Sequence, residues 1–321
     1  MELTPPGQLF RADFRSGQQP ENPSGTIKLL QWNMERGYQL PGIIEELRRI
    51  NADILSLQEV DVGCDRSGGA DTGLEIAKAL GLNYAFLCEF EELRSPLRDA
   101  RSQGGGVHGN AILSKYDFTD VAVVRHRTHP VDWNNPAHPL ARREPRRGER
   151  AVLRATVATP QGPLVVYNAH LEVFCGLLAR IAQLSDIFAD ARAMADAGFQ
   201  HQTILGDMNT MAHGIARLSP NYCCDHMRFR SIGMDEAMVW HRHVLPVLDT
   251  RYAPSGDSNP FDPRLTVTLD NPAYRWFGLS LMKGKLDWVL LRRLRAARQA
   301  VGNDGYQLSD HKWLAAEVAF D

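Results

Sequence analysis

Oxygen and imidazole side chains stand where short apolar runs end. Asn33 follows IKLLQW, Glu59 follows ILSLQ, His170 follows VVYNA, and Asp207 and Asn209 close ILGDMN. Asp310 and His311 stand just before WLAAEVAF, and Asp287 lies inside the strand-like stretch GKLDWVLL. A carboxylate beside a buried strand is costly unless a metal or hydrogen bonds compensate it. If these strand ends meet on one rim, they form an acidic, oxygen-rich cleft that also holds two histidines. Oxygen ligands with few carboxylates suit Mg²⁺ or Mn²⁺, a substrate phosphate completing the shell. A hard metal flanked by His–Asp pairs fits metal-assisted hydrolysis of a phosphoester. No close His/Cys set suits zinc.

Taken singly, each residue has a plainer reading. Asn33 and Asn209 could be turn or cap residues. Glu59 could form a strand-end salt bridge, and His170 could be a hydrogen-bonded core histidine. Asp287 could serve only to orient His311. Their recurrence at the ends of successive runs is what favours a shared site.

The runs themselves, IKLLQWN, ADILSLQE, LNYAFLCEF, NAILS, AVLRATVA, GPLVVYNAH, QTILGDMN, LDWVLL and WLAAEVAF, are short, apolar and mostly separated by turn residues. That is the signature of buried strands. Helical spacing marks Leu40–Ile50, with Pro41 suited to a first turn, a short stretch from Gly73 to Leu80, and Leu177–Ala197, closed by Gly198. Strands and helices without strict alternation argue against a doubly wound sheet and favour an α/β sandwich of two packed mixed sheets with outer helices. Residues 1–25 read as a mobile leader or surface strap and 26–321 as one catalytic domain. Three segments resist the pattern: 91–109, ending in a flexible glycine run; the Arg-, His- and Pro-rich 125–150; and 219–277.

Composition excludes other classes. With 44% hydrophobic residues and 36 Lys+Arg against 38 Asp+Glu, the 321-residue chain is neither disordered nor a bulk polycation. Five irregularly spaced cysteines suit neither a disulfide framework nor a metal knuckle. Cys223, Cys224, His226, His241 and His243 match no structural zinc spacing. There is no signal-like N-terminus and no long apolar span, so a soluble, cytoplasmic protein is expected.

In order along the chain, QWN (Asn33), LQEV (Glu59), GNAILS (109–114), NAHL (His170), GDMN (Asp207, Asn209), LDWVLL (Asp287) and SDH (Asp310, His311) resemble the endonuclease/exonuclease/phosphatase, or DNase I-like, superfamily. The resemblance spans nearly the whole chain and implies a four-layer α/β sandwich with the site at the rim between the sheets. It implies that Glu59, Asn33 and Asp310 position Mg²⁺ or Mn²⁺. Asp207 and Asn209 would orient or deprotonate the attacking water, and His311, held in one tautomer by Asp287, would donate to the phosphate or assist proton transfer. His170 stands where nuclease and sphingomyelinase members carry a second histidine and some abasic-site endonucleases a tyrosine. His108, Asn110 and Arg150 are substrate contacts in this reading, and the arginines of 142–150 are either a phosphate-binding edge or a solvated loop. The expected activity is phosphodiester hydrolysis, with nucleic acid as first-choice substrate. A sphingomyelinase-like lipid phosphodiesterase, a phosphatase of a small phosphorylated molecule and a non-catalytic binding protein are the alternatives. Exposure of Trp276 together with Phe277 would favour the lipid reading. A basic loop closing over a compact pocket would favour the small molecule.

Overall fold

A computed structural model describes residues 3–17, 25–211, 229, 233–248, 258–280 and 282–321. In chain order its strands begin with β1 (Leu9–Asp13), β2 (Ile27–Asn33), β3 (Ile54–Val62), β4 (Asn83–Glu92) and β5 (Val107–Ser114). They continue with β6 (Asp117–Arg125), β7 (Arg146–Gly148), β8 (Ala151–Thr159), β9 (Gly162–His170) and β10 (Gln202–Asp207). The last are β11 (Arg275–Trp276), β12 (Leu279–Ser280), β13 (Asp287–Arg292), β14 (Leu294–Gly302) and β15 (Trp313–Phe320). The helices that matter below are α1 (Leu40–Ile50), α2 (Thr72–Leu80), α3 (Pro139–Arg143) and α4 (Leu177–Asp196).

One sheet has the order β1-β4-β5-β3-β2-β15-β14, with β7 added to β4; the other runs β13-β10-β9-β8-β6. Their inner faces meet in an apolar core: Leu29, Ile54, Leu87 and Ile112 from one side, Leu153, Val166, Leu205 and Val289 from the other. On the outer face of the first sheet, Ile43 and Leu47 of α1 and Ile76 of α2 pack on Leu30, Leu55 and Phe86. On the second, Leu184, Ile187, Phe188 and Ala191 of α4 cover Val165, Tyr167, Ile204 and Leu290. The result is the expected helix–sheet–sheet–helix sandwich. Central strands buried on both faces explain why their sequences read as continuous apolar runs rather than alternating ones. Helix ends follow local chemistry: the Asp71 carboxylate accepts the Leu74 amide at the start of α2, and Gly81 takes the left-handed conformation that ends it. Among the described residues no helix is long and apolar enough to cross a membrane.

Two expectations change. Leu9–Asp13, inside the segment read as a mobile leader or surface strap, pair antiparallel with Asn83–Leu87 as an edge strand, which for these residues favours the strap. Their short length and two arginine/aspartate residues hid the strand, since an edge needs only one apolar face. The glycines 104–106 are not a hinge. A Cβ at Gly104 would lie 2.6 Å from the carbonyl oxygens of Glu92 and Leu93, and one at Gly106 would collide with Val62 O. Glycine is required there so that the loop can close on the ends of β3 and β4.

Candidate active site

The site residues converge because strand register places them side by side. Asp207, the last residue of β10, lies opposite His170 at the end of β9 and Asp287 at the start of β13. Gly206 makes this possible. It sits at φ 155°, and a Cβ there would collide with the Ala169 carbonyl. Gly206→Ala should destabilise the fold by about 3 kcal/mol, through overpacking and backbone strain together, measurable by denaturant unfolding. Across the sandwich, Asn33 ends β2. Between Leu57 and Val60 the pairing of β3 with β5 shifts register, and Glu59 in this bulge takes φ 58°. The bulge re-aims the Glu59 side chain into the cleft. The SDH turn is tied to β2 by Trp32 Nε1 donating to His311 O at 3.1 Å and Ser309 Oγ donating to Asn33 O at 2.7 Å.

At the centre, Asp287 Oδ2 lies 2.8 Å from His311 Nδ1 and its Oδ1 accepts from Gln31 Nε2 at 2.7 Å. The other ring nitrogen, His311 Nε2, is 3.7 Å from Asp207 Oδ2. Asp207 also accepts from Asn33 Nδ2 at 3.0 Å and from the Asn209 backbone amide at 2.9 Å, while His170 Nε2 stands 3.5 Å away. Burial pushes the Asp207 carboxyl up to about 7, with Asp287 adding to the rise and His311 opposing it. Burial works against charge on His311 too, but Asp287 and Asp207 on either side raise its pKa well above the ordinary histidine value. His170 goes the other way: burial and the Arg150 charge drive it well below that value, so its ring is neutral. Asn209 donates its amide to Leu171 O at 2.9 Å. It therefore braces Asp207 through its backbone and anchors the turn through its side chain.

A second cluster faces this one. Glu59 accepts from Asn33 Nδ2 at 3.2 Å and lies 3.6 Å from Arg36 Nε. Burial opposes ionisation of Glu59, yet Arg36 and its other neighbours hold the carboxyl below its ordinary value. Asp310 accepts from Tyr274 at 2.7 Å, and burial together with the Glu59 charge raises it despite His311. Glu35 receives the Asp310 backbone amide at 3.0 Å.

The remaining expected contacts divide. Arg150 and His108 line the cleft with Glu59, His170, Asp207 and Asp310. Arg150 is fixed by Glu89 at 2.8 Å, and His108 by Asp61 at 2.7 Å. Asn110 is buried in β5, and neither end of its amide has a hydrogen-bond partner; it is not among the residues lining the cleft. Within 142–150, Arg142, Arg143 and Arg147 are exposed, whereas Arg146 is buried and lines the cleft. Cys223, Cys224 and His226 lie outside the described residues; His241 and His243 join no metal-type cluster among the described ones. Trp276 and Phe277 belong to the β11–β12 hairpin, where Phe277 is exposed; the Trp276 side chain lies outside what is described. Sequence reasoning missed Arg36, Tyr274 and Phe174. Arg36 was findable, three residues from Asn33 in QWNMERG; the other two sit in irregular segments with no periodic signal.

Residues 30–311 match the model of the Endonuclease/Exonuclease/phosphatase family. The chain belongs to this family. Its fold recurs in an endonuclease/exonuclease/phosphatase from Beutenbergia cavernae, 17% identical, TM-score 0.59, covering 92% of this chain and 72% of that one. It recurs in truncated TDP2 from Caenorhabditis elegans, 15% identical, TM-score 0.55, covering 92% and 98%. The human nocturnin catalytic domain with bound sulfate is 16% identical, TM-score 0.52, covering 98% and 97%. No curated protein matches the chain in sequence. Membership in the endonuclease/exonuclease/phosphatase family carries metal-dependent phosphoesterase chemistry, and the buried acidic and histidine cluster is in place for it. Asp207, Asp287 and His311 each bring a donor atom within 4.8 Å of the others, a spacing a metal ion could bridge.

Proposed function

We propose that the chain is a Mg²⁺- or Mn²⁺-dependent phosphodiesterase acting on nucleic acid. The observation that carries this reading is the row Asp287–His311–Asp207, with His311 hydrogen-bonded to Asp287 and 3.7 Å from Asp207, facing the carboxylates of Glu59 and Asp310, with the Asn33 amide donating to both Glu59 and Asp207. Of the two clusters, the second fits a hard divalent cation better. Both oxygens of Asp287 are already engaged by His311 and Gln31, whereas Glu59 and Asp310 repel each other across a lining that supplies oxygen donors. A cation held there would relieve that repulsion. When bound, it polarises a phosphoryl oxygen and balances charge that develops on it.

The chain's own groups supply the rest. Asp207, its carboxyl poised near neutrality, accepts the proton of the attacking water. Asn33 and the Asn209 amide keep that carboxylate aimed. His311, kept charged by Asp287, donates to a phosphoryl oxygen, and neutral His170 offers a further N–H to Asp207. Exposed Arg142 and Arg143, next in sequence to the cleft-lining Glu144 and Arg146, supply local positive charge that a chain of net charge −2 otherwise lacks.

The test is a hydrolysis panel of single- and double-stranded DNA, RNA, sphingomyelin and phosphoinositides with Mg²⁺ or Mn²⁺. Nucleic acid should be cut, more slowly as salt rises. Turnover of sphingomyelin with every nucleic acid untouched would replace the substrate, and inactivity on all would remove the reading.

A further inference from the structure

The two sheets face each other in a fixed sequence along the rim. β4 and β5 oppose β8, β3 opposes β9 and β10, β2 opposes β10 and β13, and β15 opposes β13. The reacting groups run along this row from Glu59 on β3 and His170 on β9, through Asn33 on β2 and Asp207 on β10, to Asp287 on β13 and His311 just before β15. At the β4/β8 end stands the segment between β6 and β8, folded around its own small core of Phe90, Val131, Trp133, Leu140 and Ala141, with Phe174 against it. Its β7 extends the sheet along β4. Asn134 clamps it, accepting from Gly148 N at 3.0 Å and donating to Gly148 O at 3.3 Å. Trp133 Nε1 donates to Glu172 at 2.9 Å. At the β13 end, Leu269, Met282 and Leu286 line the cleft, and Leu269 and Gly284 exchange backbone hydrogen bonds. A built segment thus stands beyond the reacting groups at the β4/β8 end.

The wall at the β4/β8 end carries ligand chemistry. The Arg146 guanidinium lies 4.4 Å from the Trp133 ring centroid and 5.0 Å from that of Phe90, with Glu92 and Glu144 beside it. Arg150, 5% exposed, lines the same cleft and its Nε has no hydrogen-bond partner. Phe174 is half-buried, edge-on to Trp133, and also lines the cleft. Guanidinium groups held by packing match phosphate oxygens, and an aromatic ring accepts a stacked base of any sequence.

We infer that Arg146, Arg150 and Phe174 form a subsite for the terminal nucleotide of a strand, so that hydrolysis proceeds from a chain end. The inference rests on the nucleic-acid phosphodiesterase reading and narrows it. A continuous strand would have to cross a wall anchored by a tryptophan, an added strand and buried ion pairs; an end only has to enter.

The experiment compares a single-stranded DNA circle with the same DNA linearised, in Mg²⁺ and in Mn²⁺, beside a linear single-stranded RNA and bis(p-nitrophenyl) phosphate as a minimal diester. The linear strand should be shortened to mononucleotides at least about a hundredfold faster than the circle is opened, the factor that a lost stacking and phosphate subsite implies. Phe174→Leu and Arg146→Lys, each checked for a native melting transition, should raise KM for the linear strand about tenfold with a smaller change in kcat. A circle cut as fast as the linear strand overturns the inference and leaves the phosphodiesterase reading standing. Hydrolysis of the minimal diester with both DNAs and the linear single-stranded RNA untouched overturns the inference and the choice of nucleic acid. No hydrolysis of any of these substrates overturns both readings.

Discussion

His311→Ala should lower kcat on the best substrate about a thousandfold or more, the upper part of the range for a positioned proton donor. The expectation follows from the geometry around the ring. Asp287 holds Nδ1 at 2.8 Å, fixing the ring orientation, so that Nε2 is directed towards Asp207 and the cleft. With carboxylates on two sides the ring keeps its proton well above the usual histidine range. Alanine removes the donor and leaves Asp287 with an unanswered oxygen in a buried site. Asp207→Asn should produce a comparable loss by a different route, because an amide keeps the shape but cannot accept a proton. Asp287→Asn should fall between wild type and His311→Ala, since the ring remains but is less firmly charged. Single-turnover rates, with melting temperatures to confirm folding, check all three. A His311→Ala or Asp207→Asn rate within tenfold of wild type would sink the mechanism.

Removing the cation should abolish hydrolysis, and the position of the ion can be read from which variant loses it. Chelation followed by dialysis should leave activity at background, restored by Mg²⁺ or Mn²⁺, since an ion that polarises the phosphoryl oxygen supplies several kcal/mol of the barrier reduction. Glu59→Gln should weaken Mn²⁺ binding, measured by calorimetry or by its paramagnetic signal, by more than about a hundredfold, because it removes the carboxylate that Arg36 and Asn33 keep ionised. Tyr274→Phe, which takes only a hydrogen bond from Asp310, should cost about tenfold, as orienting partners of metal ligands do. The opposite pattern, with Mn²⁺ affinity intact in Glu59→Gln and lost in Asp287→Asn, would place the ion among Asp207, Asp287 and His311 instead.

The sandwich and the central residues were readable in advance for a simple reason. A strand buried on both faces must be apolar throughout, so a carboxylate or histidine at its end stands out, and the same contrast exposes Asn33, His170 and Asp207. Glu59 was readable as a residue type but not as a geometry, because the bulge and its φ of 58° arise from the pairing of β3 with β5. The arginine run 142–150 shows the limit most clearly. Arg150 stands apart in RREPRRGER because an apolar run follows it, but nothing there separates Arg146 from its exposed neighbours; that separation comes from β7 pairing on β4 and from the aromatic rings waiting there. Tyr274 and Phe174 lacked even a suggestive setting, since irregular segments carry no period from which burial could be inferred.

Sequence alone therefore specified the chemistry available to this chain: which carboxylates, amides and imidazoles end buried strands, in what order, and so which family and reaction type they serve. Periodicity and the cost of burying charge act locally, and both are written in neighbouring residues. The protonation of His311, the pairing of Asp207 with His170 and Asp287, and the wall that flanks the cleft came only from the folded molecule. Each depends on groups far apart in the chain, whose distances no local pattern encodes, and electrostatic and packing energies vary steeply over those few ångströms.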